Sequence, residues 1–256
     1  MRTTAILNLK GGVGKTSTAI NLATILAKDK GMRVLLVDAD AQHNTTDFFE
    51  VDPAAAKLKT VTHYLRKSRG DELPIPAYAH NVDIIPADDE LMDLDLTKAG
   101  SGELDLFWLR DFRLLSSKPL EDFYDYCIID CPPAFNAASA SALIACNDVV
   151  IPMKLDAFAI SGMANLTQQI SNMQRINPSL KVAGILPTMW YSNKAIREAE
   201  EILTGSGLTV FPHIRRSPTV DRMTFTRQPL VDGKQNSAAL QDYRQFAEEY
   251  IAQEGN

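Results

Sequence analysis

Residues 5–18, Ala-Ile-Leu-Asn-Leu-Lys-Gly-Gly-Val-Gly-Lys-Thr-Ser-Thr, restrict the fold more than any other stretch of the chain. Ala5, Ile6, Leu7 and Leu9 form an apolar run of strand length, Gly11, Gly12 and Gly14 interrupt it, and Thr18-Ala19-Ile20 begins an amphipathic helical pattern. Glycines let consecutive backbone N–H groups turn toward one anion with no Cβ in the way, and the following helix adds the positive end of its dipole. Strand, glycine loop and helix in that order predict a cradle for a polyphosphate. Within it Lys15 is expected on the β- and γ-phosphates and the Thr16 hydroxyl on Mg²⁺.

The loop departs from the ordinary G-x-x-x-x-G-K-[ST] pattern. Leu9 stands where the first glycine is required, and a second lysine, Lys10, precedes the glycines. In this it resembles the deviant Walker A motif, x-K-G-G-x-G-K-[ST], of the ParA/MinD family of ATPases. The resemblance implies ATP contacts from Lys10, Gly11, Gly12, Val13, Gly14, Lys15, Thr16 and Ser17. In that family the extra lysine reaches across a dimer interface to the partner's nucleotide, which is the role implied for Lys10.

Two further apolar runs end in carboxylates. Arg33-Val34-Leu35-Leu36-Val37 closes in Asp38-Ala39-Asp40-Ala41-Gln42, and Tyr126-Cys127-Ile128-Ile129 feeds Asp130-Cys131-Pro132-Pro133. Strands apolar on both faces belong to parallel sheets, and acids at their C-terminal ends lie where such sheets bind ligands. Asp130 fits a Walker B carboxylate beside Mg²⁺-bound water, followed by paired prolines that stiffen the next loop. The first segment resembles the family's D-x-D-P-Q-G-N, with Ala41 in place of the proline and His43 in place of the glycine. That resemblance implies that Asp40 positions the attacking water and Asp38 acts through the Mg²⁺ shell. The residues alone leave a helix N-cap open for either aspartate, and His43 reads as a tolerated surface substitution.

The rest of the chain alternates strand-like and helix-like patterns. A helix is expected over 60–65, strands over 81–86, 148–153 and 182–189, and helices over 157–175, 193–203 and 237–252, the last with Leu240, Tyr243, Phe246, Ala247 and Tyr250 on one face. Residues 66–70 read as a solvated basic turn, and Asp88, Asp89, Glu90, Asp93 and Asp95 as an exposed acidic face. The alternation predicts an α/β fold, a doubly wound and mainly parallel sheet flanked by helices, with 1–256 as a single ATPase domain. The family resemblance also implies Thr188, Met189 and Pro212 as neighbours of the adenine.

Composition narrows the function. A formal net charge of −6 over 256 residues confines any nucleic-acid contact to a local patch. The clearest cluster is Arg215, Arg216, Arg222 and Arg227, with Lys194 and Arg197 on a nearby helix. Cys127, Cys131 and Cys146 form no C-x-x-C pair and read as buried free thiols, which disfavours an iron–sulfur carrier. No apolar run reaches the ~20 residues of a membrane span, and the chain starts directly in a strand pattern, so a cytoplasmic protein is expected. Resemblance to ParA implies an ATP-dependent homodimer on nonspecific DNA, nucleoid-associated and reset by a ParB-like partner. The alternative, a MinD-like membrane-positioning ATPase, ends in a basic amphipathic helix, whereas this chain ends in acidic residues that anionic lipid repels.

Overall fold

The computed structural model describes residues 1–52, 60–66, 75–78, 81–94, 96–97, 102–111, 113–114, 118–156, 159–205, 207–233 and 237–253. The basic turn after Arg66, Asp95 of the acidic run, Ala157 at the start of an expected helix and the acidic tail after Gln253 lie outside these residues.

The strands are β1 (Arg2–Ile6), β2 (Val34–Asp38), β3 (Ile75–Tyr78), β4 (Val82–Ile85), β5 (Arg113–Leu114), β6 (Lys118–Pro119), β7 (Tyr126–Asp130), β8 (Asp148–Lys154) and β9 (Lys181–Thr188). Seven of them form one sheet in the order β3-β4-β2-β7-β1-β8-β9, while β5 and β6 make a separate short hairpin. All neighbours in the large sheet run parallel except β3, which adds to its edge antiparallel to β4. β1 lies between β7 and β8, so the loop that leaves it emerges at the centre of the sheet.

The helices are α1 (Lys15–Lys30), α2 (Asn44–Phe48), α3 (Val61–Leu65), α4 (Ala137–Ala145), α5 (Ala159–Gln174), α6 (Lys194–Thr204), α7 (Pro218–Thr226) and α8 (Ala238–Ala252). Alternation along the strands divides the core into two layers. Val34, Leu36, Tyr126 and Ile128 pack with α1, α7 and α8, and Leu35, Val37, Cys127 and Ile129 pack with α3, α4, α5 and α6. Every residue of β2 and of β7 is buried, as their unbroken apolar sequences require.

Local signals set the helix ends. Gly14 and Gly31, at φ of 83° and 70°, bracket α1 in the left-handed conformation that a Cβ disfavours. Asn136 caps α4 by accepting from the Ser139 N–H, and Ser217 caps α7 ahead of Pro218. α8 is fastened to the sheet by a buried polar cluster. Asp148 accepts from Arg2 Nε at 2.6 Å and from Thr4 Oγ1 at 2.8 Å, Thr4 meets the Tyr250 hydroxyl, and the Arg2 guanidinium lies 3.9 Å from the centre of the Tyr250 ring.

The three cysteines are buried free thiols, and burial pushes the Cys127 thiol up to about 12. Among the described residues no helix is long and apolar enough to cross a membrane.

Candidate nucleotide-binding site

The C-terminal ends of β1, β2, β7, β8 and β9 open on one edge of the parallel sheet, and the predicted site residues converge there. The loop after β1 curls back on itself. Gly12 sits at φ 69° and Gly14 at 83°, and the Thr18 N–H donates to the Gly14 carbonyl at 2.9 Å to begin α1. The buried Lys15 ammonium lies inside the curl and donates to the Lys10 carbonyl at 3.2 Å. Burial lowers the Lys15 pKa, against the pull of Asp130 and Asp40, whose charges face it across the site.

Asp38 and Asp130 are register partners on adjacent strands, so β-pairing alone brings two carboxylates side by side. Asp38 Oδ2 accepts from both the backbone N–H and the hydroxyl of Thr46, each at 2.8 Å, and so holds the start of α2. Asp130 Oδ2 accepts from Thr45 Oγ1 at 2.8 Å, while its Oδ1 is buried without a hydrogen-bond partner. Asp40, 9% exposed, accepts from the Gln42 N–H at 3.0 Å. Neither aspartate is the N-cap of α2, which is His43: Asp38 reaches the helix only through Thr46 in its first turn, and the Asp40 contact to Gln42 lies ahead of the helix. Thr45 and Thr46, which orient the two carboxylates, were legible only as the hydroxyl pair directly after Asn44.

Burial is the first cause of both carboxylate shifts. It raises Asp38 to about 7, with the Asp130 charge adding to the effect, and raises Asp130 to about 6, with the nearby Thr45 and Thr16 hydroxyls and Lys15 pulling it back. A group whose folded pKa is raised contributes stability that is complete below its unfolded value, near 3.8, and lost as pH rises through about 7. Asp38→Asn has no such charge to bury. Its thermal midpoint without nucleotide is expected to match the unsubstituted protein near pH 4 and to exceed it by several degrees at pH 8. A constant difference across a pH series of melts contradicts the assignment.

His43 occupies the left-handed conformation, at φ 39°, where the related motif has glycine. Its ring lies 3.1 Å from Asp47 and 3.2 Å from Asp89. Partial burial lowers its pKa, but those two carboxylates outweigh it and raise the pKa overall.

Lys10 does not face Lys15. Its ammonium pairs with Asp156, just past β8, at 2.5 Å, a partner 146 residues away that no local pattern indicates.

A cavity of about 280 Å³ adjoins the loop, lined among others by Gly14, Ser17, Thr188, Met189, Arg216 and Tyr243. Thr188 Oγ1 donates to the Val13 carbonyl at 2.8 Å, which ties the end of β9 to the glycine loop, and Met189 adopts φ 52°. Pro212, expected beside the base, does not line this cavity. The segment runs alongside β9 with Phe211 N bonded to Ile185 O at 2.8 Å and Ile214 N to Pro187 O at 2.8 Å. Phe211 is thereby directed into the core, and residues 214–217 reach the level of the loop.

The six basic residues are not equivalent. Arg215 is clamped to the largely buried Asp242 by two bonds, Nε to Oδ2 at 2.9 Å and Nη2 to Oδ1 at 2.7 Å. Arg227 pairs with Glu50 at 3.0 Å, Lys194 lies 3.7 Å from Glu198, and Arg197 donates to Ser192 at 2.8 Å. Among the described residues Arg216 and Arg222 are exposed with no carboxylate partner. The predicted patch thus contains two uncommitted cations, and Arg215 serves instead to join its loop to α8.

A glycine loop between a central parallel strand and its helix, with a buried lysine and two strand-end carboxylates around it, defines a P-loop nucleotide-binding protein. An AAA domain family model matches residues 1–182. The chain is 30% identical over 261 residues to the chromosome partitioning protein ParA of Caulobacter vibrioides, covering 99% of this chain and 95% of that protein. It belongs to the ParA family of P-loop ATPases. Among solved structures, apo McdA from Cyanothece superposes with a TM-score of 0.81 at 25% identity, covering 98% of this chain and 99% of that one. Cobyrinic acid a,c-diamide synthase from Mycobacterium smegmatis, with bound ADP and magnesium, gives 0.80 at 27% identity and covers 100% and 96%.

Proposed function

We propose that residues 1–256 form one ATPase domain that dimerises on ATP, binds nonspecific DNA, and hydrolyses ATP when a ParB-like partner stimulates it, thereby partitioning DNA. The observation that carries the reading is the Lys15 ammonium, held inside the glycine loop and facing the Asp40 and Asp130 carboxylates. The ADP and magnesium bound by the synthase, and the partitioning role of the Caulobacter relative, support the same assignment.

The donor set suits Mg²⁺ bound together with a nucleotide. Thr16, Asp38 and Asp130 offer hard oxygen ligands, and the unpartnered Asp130 Oδ1 is a buried acceptor waiting for a cation or its water. When bound, Mg²⁺ neutralises charge between the phosphates. The backbone N–H groups of residues 11–16 and Lys15 hold the phosphates, Thr188 and Met189 border the base, and Asp40 orients the water that attacks the γ-phosphate. Lys10 leaves Asp156 to reach the nucleotide of a second copy.

DNA contact follows from charge doubling. Among the described residues of the cluster one subunit leaves Arg216 and Arg222 free of carboxylates, and an ATP-bound dimer places two such sets on one particle, so retention on DNA is nucleotide-dependent and indifferent to sequence. Each neutralised phosphate contributes a slope of about −0.9 in log K against log salt, so added salt weakens binding steeply. The test is retention of random-sequence duplex with ATP, with ADP and with no nucleotide, for the unsubstituted protein and for Arg216→Glu combined with Arg222→Glu. ATP binding is measured alongside because Arg216 borders the cavity. Loss of DNA retention with ATP binding preserved is the expected result. Equal retention without ATP, or retention by the double variant, contradicts the mechanism.

A further inference from the structure

Behind the cavity wall lies a side-chain cluster that the proposed reaction does not use. The Trp190 indole and the His213 imidazole stack with ring centroids 3.9 Å apart and planes 3° from parallel. One carboxylate holds both rings. Glu200, one turn from the end of α6, accepts from Trp190 Nε1 at 2.9 Å with Oε2 and meets His213 Nδ1 at 2.8 Å with Oε1. The backbone joins the same two segments. Trp190 N donates to Ile214 O at 3.0 Å and Arg216 N to Trp190 O at 2.8 Å, a parallel bridge outside the sheet proper.

The position of this cluster gives it a consequence for the ligand. Met189 and Tyr191, on either side of Trp190, line the cavity, and so do residues 214–217, directly after His213. None of the three clustered side chains lines it. The rings therefore form a joint at the back of the two loops whose front faces make the wall. Met189, at φ 52°, is held in a conformation that a non-glycine residue rarely adopts, so its loop depends on neighbouring contacts to stay in place. A carboxylate bonded to two ring nitrogens fixes the relative angle of the loops more firmly than stacking alone, because charge-assisted hydrogen bonds are directional.

We propose that Glu200 is a positioning residue for the nucleotide base: by clamping Trp190 against His213 it sets the wall on which the base is seated. The proposal rests on the reading of the loop and cavity as a nucleotide site. The phosphates are held by the glycine loop and Lys15, to which the bonds of Glu200 with Trp190 and His213 do not extend, so phosphate binding is independent of the clamp.

That separation supplies the test, which is calorimetry with Mg²⁺ on the full chain using ATP, ADP and inorganic tripolyphosphate as ligands. Glu200→Ala is expected to weaken ATP and ADP about tenfold while tripolyphosphate binds as before. Glu200→Gln retains a carbonyl for Trp190 Nε1 and an amide for the His213 ring, and is expected to stay within about twofold of the unsubstituted protein. Trp190→Phe keeps a ring but removes the donor, and is expected to shift ATP and ADP in the same direction as Glu200→Ala. Unchanged ATP affinity in Glu200→Ala overturns the proposal, as does an equal loss of ATP and tripolyphosphate, since the damage would then extend beyond the base wall. Failure of the unsubstituted protein to bind ATP overturns the nucleotide reading itself, an outcome distinct from either.

Discussion

Lys15→Ala is expected to weaken ATP binding by about 30-fold or more, whereas Lys10→Ala is expected to keep it within about threefold and to lose dimerisation and turnover instead. The difference follows from where each ammonium lies. Lys15 is buried inside the loop, and its present partner is only a backbone carbonyl at 3.2 Å, so a triphosphate gives it a far better acceptor. Removing one member of a buried, hydrogen-bonded charge pair costs about 2 to 5 kcal/mol, and the lower figure is already about 30-fold. Lys10 points away, to Asp156, with its side chain 40% exposed, so its loss removes an ion pair of small value and no contact to its own subunit's phosphates. Calorimetry of the two variants with ATP, paired with sedimentation in ATP and in ADP, separates the roles. Equal loss of ATP affinity in both contradicts a role for Lys10 across the dimer.

The parts of the fold that could be read from the sequence were those with one dominant physical cause. β2 and β7 are buried on both faces and end in a carboxylate, so composition and position together identified them. The glycine loop was legible because no other arrangement explains three glycines and two lysines after an apolar strand. α6 and α8 were legible as helical patterns, and their caps, Asn193 and Ser237, lie where polar residues precede the pattern. Other elements offered weaker signals. α4, Ala-Ala-Ser-Ala-Ser-Ala-Leu-Ile-Ala, is buried through nearly its whole length and so has no polar face to reveal a period. α7 carries a Ser-Pro start signal, but over nine residues it buries only Met223, too little to show a helical period.

At the site, the aspartates were legible and their supports were not. Asp38 and Asp130 end apolar strands, but only the register of β2 with β7 shows that they are neighbours, and only tertiary contact shows Thr45 and Thr46 turned toward them. The basic cluster failed as a set of equals for the same reason. Arg215 and Asp242 are 27 residues apart in sequence, and no local pattern indicates that one neutralises the other. Trp190, His213 and Glu200 likewise come from a loop, a bridging segment and a helix, and each alone looks like an ordinary surface residue.

Asp40→Ala is expected to separate assembly from hydrolysis. Asp40 is close enough to Lys15 for its charge to oppose the lowering of the Lys15 pKa by burial, so it faces the phosphate side of the loop, yet a carboxylate cannot itself hold a triphosphate. Removing it leaves the glycine loop, Lys15 and both strand-end carboxylates in place, and takes one negative charge away from the ligand. ATP affinity is therefore expected to be equal or higher, while hydrolysis falls by about 10² to 10⁴, the range for loss of a group that positions or accepts a proton. The ATP-bound dimer then accumulates, because the step that ends it is blocked. Asp40 also accepts from the Gln42 N–H, so the alanine variant alone does not distinguish chemistry from the shape of the turn. Asp40→Asn keeps that acceptor and removes the charge. If orientation of water by the carboxylate is what matters, the asparagine variant hydrolyses as slowly as the alanine variant in single-turnover measurements. If the asparagine variant hydrolyses ATP at the unsubstituted rate and only alanine is slow, Asp40 shapes the turn into α2 and the water must be oriented by another residue.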